Sequence, residues 1–118
     1  MFQDLISFPD YAVMNLSHLA AAVVPVMTNR QGTVPEGAWS YVVPGQYLYT
    51  VPTGPFVSGK TFFAYMNGLS YAANTPPFSF NARRTSSTVV TFEVMNSALN
   101  DLADIAWSSL SFWIVVFK

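Results

Sequence analysis

Apolar and polar side chains alternate with a period of two in the first half of the chain. Large apolar residues occupy every second position over residues 39–43, and the same spacing returns over residues 47–51. Such alternation is typical of strands that bury one face. Between the two runs, Pro44-Gly45 supplies residues that suit a tight turn. The pattern therefore predicts a β-hairpin with its turn at this dipeptide.

Further apolar or β-branched segments also predict short strands. They are residues 61–66, 78–80, 88–94 and 110–117. Asn67-Gly68 is a strong two-residue hairpin signal because both positions tolerate positive φ, so a partner strand is expected from residue 69. The last segment is apolar throughout, which predicts a strand in the middle of a sheet.

The first 28 residues follow a different pattern. An Ala-rich run over residues 18–24 ends at Pro25, and Asn15 or Ser17 could cap a short helix there. We expect residues 1–28 to form an N-terminal arm or docking segment that contains this helix. A helix packed on its own domain is equally consistent with the pattern.

The predicted fold class is mainly β, an antiparallel β-sandwich or barrel-like domain of about six or seven short strands. The chain of 118 residues suits a single domain, assigned to residues 29–118 beyond the arm. A turn of helix is expected within residues 96–106, because Leu99, Leu102 and Ile105 fall at helical spacing.

Composition adds the expectation of a partner subunit. Charged residues make up 9% of the chain, against about 25% in typical soluble domains, while 52% are hydrophobic and 16% aromatic. A small domain cannot bury so many large apolar groups alone, so some are expected at a subunit interface. The alternative is an ordinary sandwich core with uncharged loops. The candidate interface residues are Phe2, Leu5, Phe8, Tyr11, Trp39, Tyr41, Tyr47 and Tyr49.

Charge and residue usage argue against several functions. The net charge is −1 and the only adjacent basic pair is Arg83-Arg84, so nucleic-acid binding is not expected. Without cysteine there is no disulfide or thiolate chemistry. The longest apolar runs, residues 19–27 and 112–117, fall well short of a membrane span of about 20 residues. No signal peptide is expected, because residues 1–5 carry no positive charge.

Residues 54–61 match the P-loop pattern G-x-x-x-x-G-K-[ST]. That loop binds phosphate only when a helix follows immediately, because the amides at the helix N-terminus complete the anion site. The residues after Lys60 favour a strand instead. We therefore expect a coincidental match and no bound nucleotide.

Few residues could support catalysis. His18 is the only histidine and lies beside an apolar run, where a packed or capping role is the usual one. A transition-metal site without cysteine or a second histidine would depend on the six carboxylates alone. Asp101 and Asp104 lie three positions apart, and a solvated turn is the expected environment for both. The chain is therefore predicted not to be an enzyme, with no metal site and no cofactor.

The aromatic hairpin suggests a separate possibility, carbohydrate binding. Trp39, Tyr41, Tyr47 and Tyr49 could stack on the sugar rings of a host-surface glycan if they were exposed together. A role in the core or in a subunit interface is the favoured interpretation.

The order of features over residues 61–118 resembles a module of bacteriophage tail-fibre and other virion appendage proteins. The matching parts are an apolar strand ending in Asn67-Gly68, an aromatic strand at 78–80, a Thr/Val-rich strand at 87–92, an acidic turn at 99–101 and a final strand at 113–117. The segment 98–109 is longer than the short turn usual in that module.

The resemblance implies a β-sandwich in a phage particle, in a symmetric and often trimeric assembly. The role expected from it is a tail, baseplate or fibre adaptor that contacts other virion subunits. A capsid decoration (cement) protein that bridges shell subunits is the alternative. A carbohydrate-binding adhesion module is more distant.

Overall fold

The computed structural model describes residues 8–19, 22–66 and 77–117. Within these ranges the chain forms nine strands. They are β1 (Asp10–His18), β2 (Val26–Gly32), β3 (Ala38–Val43), β4 (Gln46–Thr50), β5 (Thr61–Met66), β6 (Phe78–Arg84), β7 (Val89–Asn96), β8 (Asp101–Leu102) and β9 (Trp107–Val116).

The strands form two antiparallel sheets. The first sheet has the order β2-β1-β9-β5, and the second has the order β3-β4-β7-β6 with β8 paired to β7. The predicted mainly β, antiparallel class is confirmed, with more strands than expected. The last strand is central, as predicted, since β9 pairs with both β1 and β5.

The predicted hairpin is confirmed as β3 and β4. Trp39 pairs with Tyr49 and Tyr41 with Tyr47, and the chain turns at Pro44-Gly45. Gly45 has a φ of 76°, a left-handed conformation that glycine adopts without strain. The local turn chemistry and the alternation thus specify the hairpin together.

The helix predicted after Asn15 or Ser17 is wrong over the residues that the structure describes there. Both residues lie in β1, which buries every second side chain from Ala12 to His18 and pairs with β2 and β9. Burial with a period of two against the second sheet is the pattern of a strand, so residues 15–18 continue β1 instead of starting a helix. Much of the segment predicted as an arm is therefore a central strand; residues 1–7 and 20–21 lie outside the described residues.

The turn of helix predicted within residues 96–106 is also wrong. Residues 97–100 form a turn, and Asn100 has a left-handed φ of 56° that ends any helical path. The Asn96 side chain accepts from the amide of Ala98, an Asx turn. The chain then enters β8, and the amide of Ala103 donates to the carbonyl of Val94.

The predicted Asn67-Gly68 turn and its partner strand from residue 69 lie outside the described residues. On either side of this segment, β5 pairs with β9 in the first sheet and β6 pairs with β7 in the second. β5 and β6 therefore belong to different sheets.

The core lies between the two sheets and is mainly aromatic. Phe92 of β7 meets Phe112 of β9 edge-on, with ring centroids 5.3 Å apart, so the two sheets are joined through this pair. Burial of each such side chain stabilises the fold by about 2–3 kcal/mol. The largest fully buried side chains are Tyr47, Tyr49, Phe56, Phe92 and Phe112.

Candidate interaction surface

The outer face of the second sheet carries paired charges and polar side chains, together with a few apolar ones such as Leu48. Glu93 of β7 accepts hydrogen bonds from Arg83 at 2.6 Å and from Gln46 at 3.2 Å. Asn81 lies at the limit of hydrogen-bonding distance from the same carboxylate, 3.5 Å away. This face has the composition of a sheet surface in contact with water.

The outer face of the first sheet differs sharply. Its central part, here called the uncharged face, lies on β1, β9 and β5. The register of these strands arranges its side chains in two rows across the sheet. The first row is Tyr11, Val115 and Phe62, and the second is Val13, Trp113 and Ala64. None of the outward-facing residues described on these three strands carries a charge.

The large rings of the uncharged face are substantially open to solvent. Phe62 is 52% exposed and Tyr11 36%, while Trp113 is half-buried. Tyr11 stacks on Trp113 with centroids 6.4 Å apart, and Phe62 meets Phe117, itself 48% exposed, edge-on at 5.5 Å. Contiguous exposed apolar surface of this kind is characteristic of protein interaction sites.

Only part of the predicted interface set lies at the surface. Phe8 is 74% exposed and Tyr11 belongs to the uncharged face, whereas Tyr47 and Tyr49 are completely buried within the chain. Trp39 and Tyr41 are half-buried against the core, and Phe2 and Leu5 lie outside the described residues. The four aromatic residues of the hairpin therefore do not form an exposed platform on which a sugar could stack.

Sequence reasoning missed Phe62, Trp113 and Val115. A signal was present, because residues 112–117 are apolar at every position and residues 62–63 are two consecutive phenylalanines. A strand that is apolar at both alternating positions has two apolar faces, of which this core covers only one.

A partly buried polar cluster surrounds Asp104. Its carboxylate accepts from the Tyr47 hydroxyl at 2.6 Å, the Gly45 amide at 2.9 Å and the Tyr41 hydroxyl at 3.1 Å. Burial, reinforced by the Asp104 carboxylate, raises the pKa of Tyr47 and of Tyr41 above the ordinary tyrosine value. Both phenols are therefore kept as neutral donors, and the cluster ties the segment before β9 to the β3–β4 turn.

Asp101 and Asp104 do not share one environment. Asp101 is exposed in β8, as expected for a solvated position, whereas Asp104 is half-buried and hydrogen-bonded, so the prediction of a solvated turn holds for it only in part. Its two carboxylate oxygens are occupied by donors from the hairpin. The contact joins residues nearly 60 positions apart, so local spacing could not reveal it.

His18 is a packed residue, as expected. Its Nδ1 lies 2.9 Å from the carbonyl oxygen of Ile105, and its Nε2 lies 2.9 Å from that of Val23. The ring also stacks on Trp107 with centroids 4.8 Å apart. Since both nitrogens face backbone carbonyls, the imidazole connects two loop segments rather than facing an open cleft.

The loop that matches the P-loop pattern leads into a strand, as predicted, because Thr61 begins β5. The Thr61 hydroxyl and the Lys60 amide both donate to the Val57 carbonyl, at 2.9 and 3.1 Å. These bonds close a local turn, in place of the helix start that phosphate binding requires.

Among the residues that the structure describes, no cluster of three or more His, Asp or Glu side chains is placed to hold a metal ion. Nor does this part of the chain include a helix with the length and apolar character needed to cross a bilayer. No family model, curated protein or solved structure matches the chain. The resemblance of residues 61–118 to phage appendage modules therefore stays a prediction.

Proposed function

We propose that this protein is a non-enzymatic structural module that docks another protein subunit on its uncharged face. The observation that carries the proposal is a sheet surface without charges that bears three aromatic side chains: Tyr11 and Phe62 are exposed, and Trp113 is half-buried between them. Interface centres are enriched in aromatic residues and depleted in charged ones, because removing charges from water is costly.

The interior polar groups support a structural role. Both ring nitrogens of His18 lie 2.9 Å from backbone carbonyl oxygens, and both carboxylate oxygens of Asp104 accept from tyrosine hydroxyls of the same chain. A general base must reach a proton on its substrate, which groups committed to internal hydrogen bonds are poorly placed to do. These residues act instead to hold loops onto the sandwich.

The proposed setting is a bacteriophage particle, where the sandwich would serve as a tail, baseplate or fibre adaptor. The order of sequence features over residues 61–118, which resembles that of phage appendage modules, and the scarcity of charge support this setting. A rigid sandwich with one polar and one uncharged face suits an adaptor, because one side can be buried against a neighbour while the other stays hydrated.

The test is recovery of the chain with purified particles from a culture that produces them. We expect the wild-type chain to co-sediment with particles in fixed proportion and to follow the tails when tails and heads are separated. Phe62→Lys should be lost from the particles, while Ser40→Lys, an exposed position on the outer face of the second sheet, should be retained. Recovery only in the soluble fraction would overturn the virion role, and recovery only with heads would favour a shell-bridging role.

A further inference from the structure

The two rows of the uncharged face carry large and small side chains in opposite orders. The first row runs large, small, large across the sheet, as Tyr11, Val115 and Phe62, and the second runs small, large, small, as Val13, Trp113 and Ala64. On each strand a bulky ring thus lies two residues from a small side chain on the same face. The surface is therefore a checkerboard of ridges and hollows.

We propose that the occupant of this face is a second copy of the same chain, packed face to face about a two-fold axis. The proposal rests on the docking role proposed above and names the partner. The two-fold axis lies in the plane of the interface, perpendicular to the strands, and passes between the two rows. Rotation about it places the first row of one copy over the second row of the other. Each strand then lies over the same strand of the second copy. Tyr11 then faces Val13 of the second copy, and Trp113 faces Val115.

On β5 the same operation places Phe62 over Ala64 of the second copy. All three strands therefore match a ring with a small residue, which is the interdigitation found between the sheets of a sandwich core. A two-fold interface requires a patch that complements itself, and the exchange of two inverted rows meets that requirement.

Electrostatics and size agree with a second copy. A charged face would repel an identical one, whereas the outward-facing residues described on β1, β9 and β5 carry no charge. The four strands of this sheet contain 7, 9, 10 and 6 residues. At about 3.3 Å per residue and about 4.8 Å between strands, they present roughly 500 Å² per copy. Two such faces bury about 1,000 Å² in total, the smallest area expected of a biological interface with good complementarity.

Light scattering of the purified full chain tests the proposal. We expect twice the 13.0 kDa chain mass, with a monomer for Phe62→Lys and a dimer for the control Ser40→Lys. Far-ultraviolet circular dichroism and urea unfolding of each variant check that the fold is retained. A monomeric wild type, a trimer, or equal dissociation of Ser40→Lys and Phe62→Lys would overturn the arrangement.

The register of the proposed two-fold interface is tested by exchanging a large side chain, Phe62, with the small side chain that it faces in the second copy, Ala64. Ala64→Phe alone places two phenylalanines against each other and should weaken dimerisation at least tenfold. The double variant Phe62→Ala/Ala64→Phe again sets a ring over a small residue and should restore association to near the wild-type level. Failure of the double variant to recover, with its fold intact, would overturn the proposed register.

The outcome separates this inference from the proposed function. A chain that is monomeric in light scattering but enters particles, and loses that ability with Phe62→Lys, would overturn self-docking alone. In that case the uncharged face binds a different subunit. A dimer that never enters particles would overturn the virion role and leave the self-docking inference standing.

Discussion

The hydroxyl of Tyr47 donates to the carboxylate of Asp104 across 2.6 Å, joining two residues that lie 57 positions apart in the sequence. Tyr47 is fully buried in the core, so its hydroxyl depends on this single acceptor side chain. The same carboxylate binds the amide of Gly45 at the hairpin turn. The pair therefore fixes the β3–β4 hairpin against the segment that leads into β9.

Removal of the Asp104 carboxylate should destabilise the fold strongly. Asp104→Ala leaves the buried Tyr47 hydroxyl without its acceptor, and we expect a loss of roughly 2–3 kcal/mol in the free energy of unfolding by urea titration. The control is Asp101→Ala, an exposed aspartate three positions away, which should change stability by no more than about 0.5 kcal/mol. Equal effects of the two substitutions would contradict the role assigned to Asp104.

Gly45 should not tolerate a side chain. A Cβ there would lie 2.5 Å from both the Ala103 amide nitrogen and the Val94 carbonyl oxygen, and the backbone is left-handed. We expect Gly45→Ala to cost at least about 2 kcal/mol in urea unfolding. Gly59→Ala is the matched control, since Gly59 has nearly the same φ of 75° but no neighbour within 4 Å.

The Gly59→Ala variant should lose only about 1 kcal/mol, the cost of a left-handed alanine. The difference between the two variants measures the steric contribution at Gly45. Equal losses would show that backbone conformation alone, and not the close approach of β7 and Ala103, requires glycine at the hairpin turn.

Loss of the His18 ring should destabilise the fold, because the ring contacts the backbone of two separate segments, at Ile105 and at Val23. His18→Leu keeps apolar volume but leaves the carbonyls of Ile105 and Val23 without their partner. We expect a loss of roughly 2–3 kcal/mol in urea unfolding, because at least one buried carbonyl is left unsatisfied. Asn15→Ala, on the outward side of the same strand, should stay within about 0.5 kcal/mol. A stable His18→Leu variant would contradict this account.

The stability of the protein should fall in alkaline solution. Burial raises the pKa of Tyr65 from 10.0 to about 12, so the folded state holds this proton more tightly than the unfolded chain. The stabilisation from the neutral phenol is complete below about pH 10 and is lost as the pH rises toward about 12.

Urea midpoints measured from about pH 9 to about pH 11.5 should therefore decline, and Tyr65→Phe should make the decline shallower. Tyr47→Phe should do the same, since burial and the Asp104 carboxylate raise the pKa of Tyr47 as well. A midpoint that stays constant over this range in the wild type would contradict the burial of both phenols.

Local signals predicted much of the second sheet. Residues 39–51 fold as the hairpin that their alternation and Pro44-Gly45 indicate, and residues 89–94 of the strand predicted over 88–94 lie in β7. These elements are set by side-chain period and turn residues, which act over a few positions. The sequence predicted the wrong structure for residues 15–18, because a short run can suit a helix or a strand until its partner strands are known.

The candidate surface could be predicted only in outline. The scarcity of charge indicated an interface, but the chosen residues included Tyr47 and Tyr49, which are fully buried. Alternation assigns residues to two faces of a strand without saying which face meets the other sheet. The Asp104 cluster was missed for a related reason, because it forms only when distant segments meet.

The sequence by itself determined the β class, the hairpin turn and the uncharged composition, because these follow from residue type and short-range spacing. The tertiary structure alone decided that Tyr47 and Tyr49 pack inward while Phe62 and Trp113 face outward. The physical reason is that one apolar face of each strand is covered when two sheets pack together. The order and register of the strands across the whole chain, rather than the local pattern, decide which residues lie on the uncovered face.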